Sequence, residues 1–212
     1  MSVAATSFSR IAAAAILSIT FATTAQAQVT FVSSQAAFSA LGTTTQNTNF
    51  DAYATGGAYS YPGSPFMVGD LTFVAGGRNL IGGAGGDYGF SRNLLVDDNS
   101  KGTTIQIAGT HDLFALNAGN FDSTGPANFA VTTNLSSYQF TENVAHGDLG
   151  FTFIGFQASA GEYFTSVAVS GVNNTGMTDV QLATQAVPEP GTYMLMLAGI
   201  GAMAFVARRR RG

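Results

Sequence analysis

The segment Asp97-Asp98-Asn99-Ser100-Lys101-Gly102 gathers three oxygen-bearing side chains in one turn, the donor chemistry that a hard cation such as calcium prefers. It lacks the spacing and the terminal glutamate of an EF-hand loop, and an ordinary polar turn ahead of a strand accounts for the same residues. Upstream, Gly82-Gly83-Ala84-Gly85-Gly86-Asp87 fits the opening of a calcium-binding nonapeptide. Such loops share each ion between adjacent copies, whereas this one occurs singly, and Gly89 stands where a large aliphatic residue is required. A glycine-rich hairpin loop is the better reading, and no metal is assigned; calcium is an option only at Asp97, Asp98 and Asn99. The two histidines, His111 and His146, fall at the edges of predicted strands outside any motif. His111 and Asp112 are neighbours, so in a strand they would point to opposite faces. The absence of cysteine removes thiol catalysis and thiolate metal sites. A carboxylate pair can hydrolyse glycosides, but eleven acids scattered through the central segment nominate no two, and Glu142 and Glu162 would be arbitrary choices. Zinc-helix, nucleophile-elbow and phosphate-loop patterns are missing. The expectation is a protein without enzymatic activity or cofactor. Tyr53, Tyr59, Tyr61 and Tyr88 cluster in a glycine-rich stretch and offer rings to sugar faces, with loop packing as the alternative.

Strands must position these groups. Apolar and polar residues alternate in Val29-Thr-Phe-Val32, Leu71-Thr-Phe-Val74, Thr103-Thr-Ile-Gln-Ile107, Asp112-Leu-Phe-Ala-Leu-Asn117 and Asn128-Phe-Ala-Val-Thr132. The same pattern recurs in Ser137-Tyr-Gln-Phe-Thr141, Gly150-Phe-Thr-Phe-Ile-Gly-Phe156, Phe164-Thr-Ser-Val-Ala-Val169 and Thr178-Asp-Val-Gln-Leu182. One helix interrupts them, Gln35 to Leu41, capped by Ser33 or Ser34 and stopped by Gly42. Residues 51–89 are crowded with Gly, Tyr, Ser and Pro and read as a long, partly irregular loop. Seventeen Phe against no Trp, many at alternate positions, indicate an aromatic sheet interior. The fold class is mainly β: an antiparallel, jelly-roll-like β-sandwich with one short N-terminal helix.

Both ends have a different character. Arg10 precedes a mostly apolar stretch at residues 11–22, and Ala25-Gln26-Ala27 supplies small residues two apart for signal peptidase. This is a signal peptide, with cleavage after Ala27 and a mature start at Gln28. At the other end Pro188 and Pro190 block a helix upstream of an apolar helix at 192–207, and Arg208, Arg209, Arg210 and Arg211 follow at once. The uncharged run at 193–207 has 15 residues, a length of roughly 22 Å against a hydrocarbon core of about 30 Å. The arginine cluster stays cytoplasmic and its long stems reach the interface, so the run reads as a transmembrane helix with a basic stop.

Between the ends, three basic residues (Arg78, Arg92, Lys101) face eleven acidic ones, a net charge of −8 where the whole chain carries −4. Nucleic acid and anionic lipid are therefore unsuitable partners for the folded part. Charged residues make up 9% of the chain, against about 25% in ordinary globular proteins. Neutral polar residues must supply the surface. Without disulfides, a body of about 160 residues must be held by its core, and that length is ample for one domain.

Val187-Pro188-Glu189-Pro190, the apolar helix and the terminal arginines, in that order, resemble the PEP-CTERM sorting signal, a tail also catalogued as an ice-binding protein C-terminal domain. The second label concerns the anchor; Thr43-Thr44-Thr45 and Thr103-Thr104 do not form the flat threonine array that ice binding calls for. The resemblance implies export in a Gram-negative, exopolysaccharide-making bacterium. Processing would fall to exosortase, an integral-membrane transpeptidase-like enzyme with a Cys nucleophile. The body also resembles the domain common among such proteins, through Phe50-Asp51, Phe114-Ala-Leu116, Phe153-Ile-Gly-Phe156 and Asp179-Val-Gln181.

The expected organisation is a signal peptide at 1–27, a sandwich body at 28–186 and a sorting signal at 187–212. The expected protein is exported and transiently anchored in the inner membrane through its C-terminal helix. It then resides at the cell surface or in the extracellular matrix, with a structural or adhesive role in exopolysaccharide or biofilm. Its partners would be signal peptidase, exosortase and exopolysaccharide, with no nucleic acid. The alternative is a carbohydrate-binding module, with or without calcium.

Overall fold

The computed structural model describes residues 28–53, 59–82, 92–97, 102–121, 123–146, 150–171 and 174–186, together with 195–201, 203 and 208. Within them, alternating apolar residues build two sheets that face each other. The larger sheet runs in the order β1 (Val29–Val32), β12 (Thr152–Ala158), β9 (Leu113–Asn120), β14 (Thr175–Gln185), β7 (Leu94–Asp97), β6 (Asn79–Gly82), β3 (Tyr59–Ser60). A further strand, β2 (Gly42–Thr48), pairs with the second half of β14. The smaller sheet runs β11 (Ser137–Val144), β10 (Gly125–Thr133), β13 (Phe164–Gly171), β8 (Thr103–Ile107), β5 (Leu71–Ala75), β4 (Phe66–Val68). All pairings between these strands are antiparallel. From β8 onward the chain changes sheet at every connection except the β10–β11 hairpin, giving the jelly-roll-like sandwich expected from the pattern.

The core lies between the sheets and is aromatic. Phe156 of β12 is fully buried and meets Phe31 and Phe114 from its own sheet at 6.0 and 6.4 Å. Across the core it meets Phe129 and Phe140 of the small sheet at 6.1 and 4.9 Å. Phe50 and Phe73 make an edge contact at 5.5 Å farther along the same layer. In the Phe153-Ile-Gly-Phe156 motif the glycine answers a packing need: a Cβ on Gly155 would lie 3.0 Å from the carbonyl oxygen of Val32 on β1. The outward positions of the small sheet carry Thr72, Thr104, Gln106, Asn128, Thr132, Gln139, Thr141, Ser166 and Ser170, none of them charged. That uncharged face is in keeping with the low charge content of the chain.

The helix α1 (Gln35–Leu41) forms as expected, with the Ser34 hydroxyl accepting from the Ala37 N–H at 3.2 Å. It is short, and one buried side chain anchors it. Phe38 packs on Val32, Leu113, Ala115 and Ala183, on the side of the large sheet away from the main core. The central strands β9 and β14 are thus covered on both faces.

Every strand marked by alternation is present, most of them longer than the pattern indicated. Five others were not marked. Residues 51–89, expected as a partly irregular loop, carry β3, β4 and β6 among their described residues, besides the marked β5. In β6 and β7 both faces are buried: Ile81 and Leu95 enter the main core, while Leu80, Leu94 and Val96 join Phe121 and Phe151 on the other side. A strand covered on both faces reads as a continuous apolar run and loses its period-2 signature. β2 is the opposite case, a run of Thr, Gln and Asn held by backbone pairing to β14 rather than by apolar burial.

Near the C-terminus the described residues 195–201, 203 and 208 are helical, with Leu195, Met196, Leu197, Ile200 and Met203 exposed. Among the described residues no helix is long and apolar enough to cross a membrane.

Because Phe156 contacts both sheets, Phe156→Ala should cost about 3–5 kcal/mol in urea unfolding. A loss below about 1 kcal/mol would mean that the two sheets close without it.

Candidate functional site

On β14 the neighbour along one edge changes from β7, paired through Met177↔Leu95, to β2, which takes over at Val180↔Thr48. Along the other edge β9 pairs throughout, with its register shifting between Thr178 and Gln181. The shift is a β-bulge: Met177 and Val180 both enter the core although they are three residues apart. Asp179 lies within the bulge at φ 47°. That left-handed region is sparsely used by residues other than glycine, and Asp is among the few enriched there. The result is that Asp179 and Gln181 line the same outward-facing cleft.

The cleft has a volume of about 550 Å³. Its floor is the Asp179 carboxylate, whose Oδ2 accepts from Asn117 Nδ2 on β9 at 3.0 Å and from Arg92 Nη1 in a short ion pair. The Asp179 side chain is 10% exposed and that of Arg92 51%. The carboxylate is therefore fixed from below while the guanidinium stands at the rim. Arg92 owes its place to its neighbour. Asn93 is buried and donates from Nδ2 to the Phe50 carbonyl at 3.0 Å, and its N–H lies 3.5 Å from Asp51 Oδ1. The Phe50-Asp51 pair thus holds the segment that presents the cation.

The second wall is amide. Gln35, the first residue of α1, donates to Gln181 Oε1 at 3.1 Å, and Gln181 Nε2 donates back to Gln35 Oε1 at 2.8 Å. Asn47 of β2 and Phe151, just ahead of β12, complete the lining. Asp179 Oδ1 takes no hydrogen bond from the described residues, and Arg92 spends one N–H on Asp179. A free carboxylate acceptor and guanidinium donors therefore sit side by side in an open cleft.

The residues singled out from sequence are distributed differently. His111 is buried ahead of β9, with Nε2 3.1 Å from Asp70 Oδ2 and Nδ1 3.3 Å from Thr45 Oγ1. Asp112 accepts from the Gln185 N–H at 2.7 Å. His146 Nε2 lies 2.9 Å from the Phe121 carbonyl. Glu162 is buried against Thr133, while Glu142 is half-buried on β11. None of these lines the cleft. Of the tyrosines, Tyr53 meets Phe66 edge-on at 5.1 Å, and Tyr61 lies under the Arg78 guanidinium at 4.0 Å. Tyr59 is exposed on β3. Among the described residues no three His, Asp or Glu side chains converge as a metal site. Asp98, Asn99, Tyr88 and residues 83–87 lie outside the described residues, as does the side chain of Asp97. So do Ala25, Ala27, Val187, Pro188, Glu189, Pro190, Arg209, Arg210 and Arg211. Arg208 is helical.

Asp179 and Gln181 appeared in the sequence only as parts of a strand motif. Arg92, Asn117, Asn47, Gln35 and Phe151 carried no signal, because each comes from a different element.

Residues 186–211 match the PEP-CTERM protein-sorting motif. That motif implies an exported protein that is membrane-anchored before exosortase processes it. Comparison with curated proteins gives no match. Solved structures that match include two variants of a family 29 carbohydrate-binding module, each 12% identical at a TM-score of 0.33. The first covers 77% of this chain and 99% of that chain, the second 68% and 97%.

The bulge predicts an order among substitutions at one position. Asp179→Ala should destabilise the protein by about 1–3 kcal/mol, since it combines left-handed strain with lost hydrogen bonds. Asp179→Asn, which tolerates that backbone and keeps an acceptor for Asn117, should retain most of the stability. Equal urea midpoints for the two variants would show that neither backbone nor acceptor matters there.

Proposed function

We propose that this chain is an exported, non-enzymatic β-sandwich protein that exosortase sorts to the cell surface or matrix. There it has a structural and adhesive role, holding neutral exopolysaccharide in the cleft around Asp179. The observation that carries the reading is the juxtaposition of Asp179 Oδ1 with the remaining N–H groups of Arg92. Neighbouring sugar hydroxyls each donate and accept, so a carboxylate oxygen beside a guanidinium can satisfy both needs with charge-assisted bonds. Phe151 supplies an apolar surface for the C–H face of a ring, and the cleft volume falls in the range of small-ligand sites. The acidic body disfavours polyanionic polymers, which leaves neutral glycans as the better match. A calcium-assisted carbohydrate-binding module is the second reading, resting on Asp97, Asp98 and Asn99.

A glycan array probed with and without chelator separates the two. Binding to neutral glycans should survive chelation, and Asp179→Asn should weaken it at least about tenfold, or roughly 1.4 kcal/mol. Binding lost on chelation would move the site to the Asp97 turn, and silence under both conditions would reject glycan binding. The sorting half of the proposal has its own test. Replacing Pro188, Glu189 and Pro190 should leave export intact but trap the chain, uncleaved, in the cytoplasmic membrane. Wild-type processing of that variant, read by mass on a gel, would make the motif incidental.

A further inference from the structure

Gln28, where the leader reading puts the mature start, is held by several hydrogen bonds. Its nitrogen donates to Glu162 Oε2 at 2.9 Å, and its carbonyl accepts from the Ser159 N–H at 3.0 Å and the Ser159 hydroxyl at 2.7 Å. Glu162 is 3% exposed and lies in the β12–β13 connection. Its other oxygen accepts from the Thr133 hydroxyl at 2.8 Å and lies 3.4 Å from the Tyr138 hydroxyl. Among the described residues no Lys, Arg or His forms an ion pair with it. A buried carboxylate served only by neutral donors is unusual, because burial of a charge is costly unless an opposite charge accompanies it. The nitrogen beside it is the one that leader removal would free.

We propose that hydrolysis of the Ala27–Gln28 bond makes the missing cation. Water adds its hydroxyl to the Ala27 carbonyl carbon and a proton to the Gln28 nitrogen, which takes a second proton from solvent. The resulting α-ammonium seats on Glu162, so a neutral N–H contact becomes an ion pair that ties β1 to the β12–β13 connection. Leader removal then completes the fold at an edge of the large sheet, where β1 has, among the described residues, only β12 as a neighbour. The ion pair also protects the new terminus. An N-terminal glutamine cyclises when its free amine attacks its own side-chain carbonyl carbon and expels ammonia. An ammonium held by Glu162 has no lone pair for that attack. The inference rests on export through the leader and is independent of the cleft.

The test compares the complete chain beginning at Gln28 with the same chain still carrying residues 1–27, both in mild detergent. The Gln28 form should melt higher by about 2–4 °C, the size expected for one added interaction in a body of this length. In the Glu162→Gln background the two forms should melt together; an equal gap in that background would overturn the proposal, because the leader itself would then be the cause. Should Glu162→Gln fail to fold, amine acylation at neutral pH decides. The α-amine should react about tenfold more slowly in the folded chain than in urea, equivalent to one unit in its protonation equilibrium. Equal rates, or a mature terminus other than Gln28 on sequencing, would overturn it.

Discussion

β14 must satisfy more neighbours than a straight strand can. It pairs with β9 along one edge and successively with β7 and β2 along the other, and it is buried on both faces over most of its length. Two partners share that edge in succession, both antiparallel to β14, and each brings its own register. The extra residue in the bulge absorbs the mismatch, and the backbone enters the left-handed region at Asp179 to do so. Bulges typically re-aim a side chain where pairing is interrupted. Here the side chain is a carboxylate, and the interruption lies where β7 gives way to β2.

The rest of the cleft follows from that geometry. A buried carboxylate requires compensation, so Asn117 and Arg92 converge on Asp179 from β9 and from the segment before β7. Arg92 is presented by a segment that Asn93 pins to the Phe50 carbonyl, and Phe50 is itself packed on Phe73 in the main core. The glutamine pair then links the floor to α1, whose single anchor, Phe38, stands on the same strands. The aromatic interior and the polar cleft are therefore successive layers on the two faces of β9 and β14. A change in the first would be felt in the second.

This layering also explains what the sequence could disclose. Strands with one wet face, such as β10 and β11, announced themselves by alternation, and α1 by its serine cap and glycine stop. β6 and β7 did not, because apolar clusters cover both faces. β2 did not, because its contribution is backbone pairing. The glycine-rich stretch at 59–82 showed β5 by its alternation but concealed β3, β4 and β6, because turn residues dominate its composition and β3 and β4 are only two and three residues long. The cleft was the least legible part. Its residues come from positions 35 to 181 and meet only after the sheet is assembled, so no local spacing could join them. The groups with more familiar chemistry, His111 beside Asp70 and the buried Glu162, turned out to have partners elsewhere in the fold.

The chemistry of the surface and that of the cleft are consistent with one another. A protein this poor in charge keeps its sheet faces wet through hydroxyl and amide groups, which match neutral hydroxylated polymers and repel little. Against that background the exposed half of the Arg92–Asp179 pair is conspicuous, since a lone surface ion pair contributes little to stability. On the proposed reading, the same pair, half-buried in a concave site with one carboxylate oxygen and several N–H groups left over, would serve as a means of orientation. A flat neutral face can approach a glycan in many registers, whereas a fixed acceptor beside a fixed donor admits few. Specificity would then reside in the strained residue of β14, and the broad polar faces would contribute proximity without discrimination.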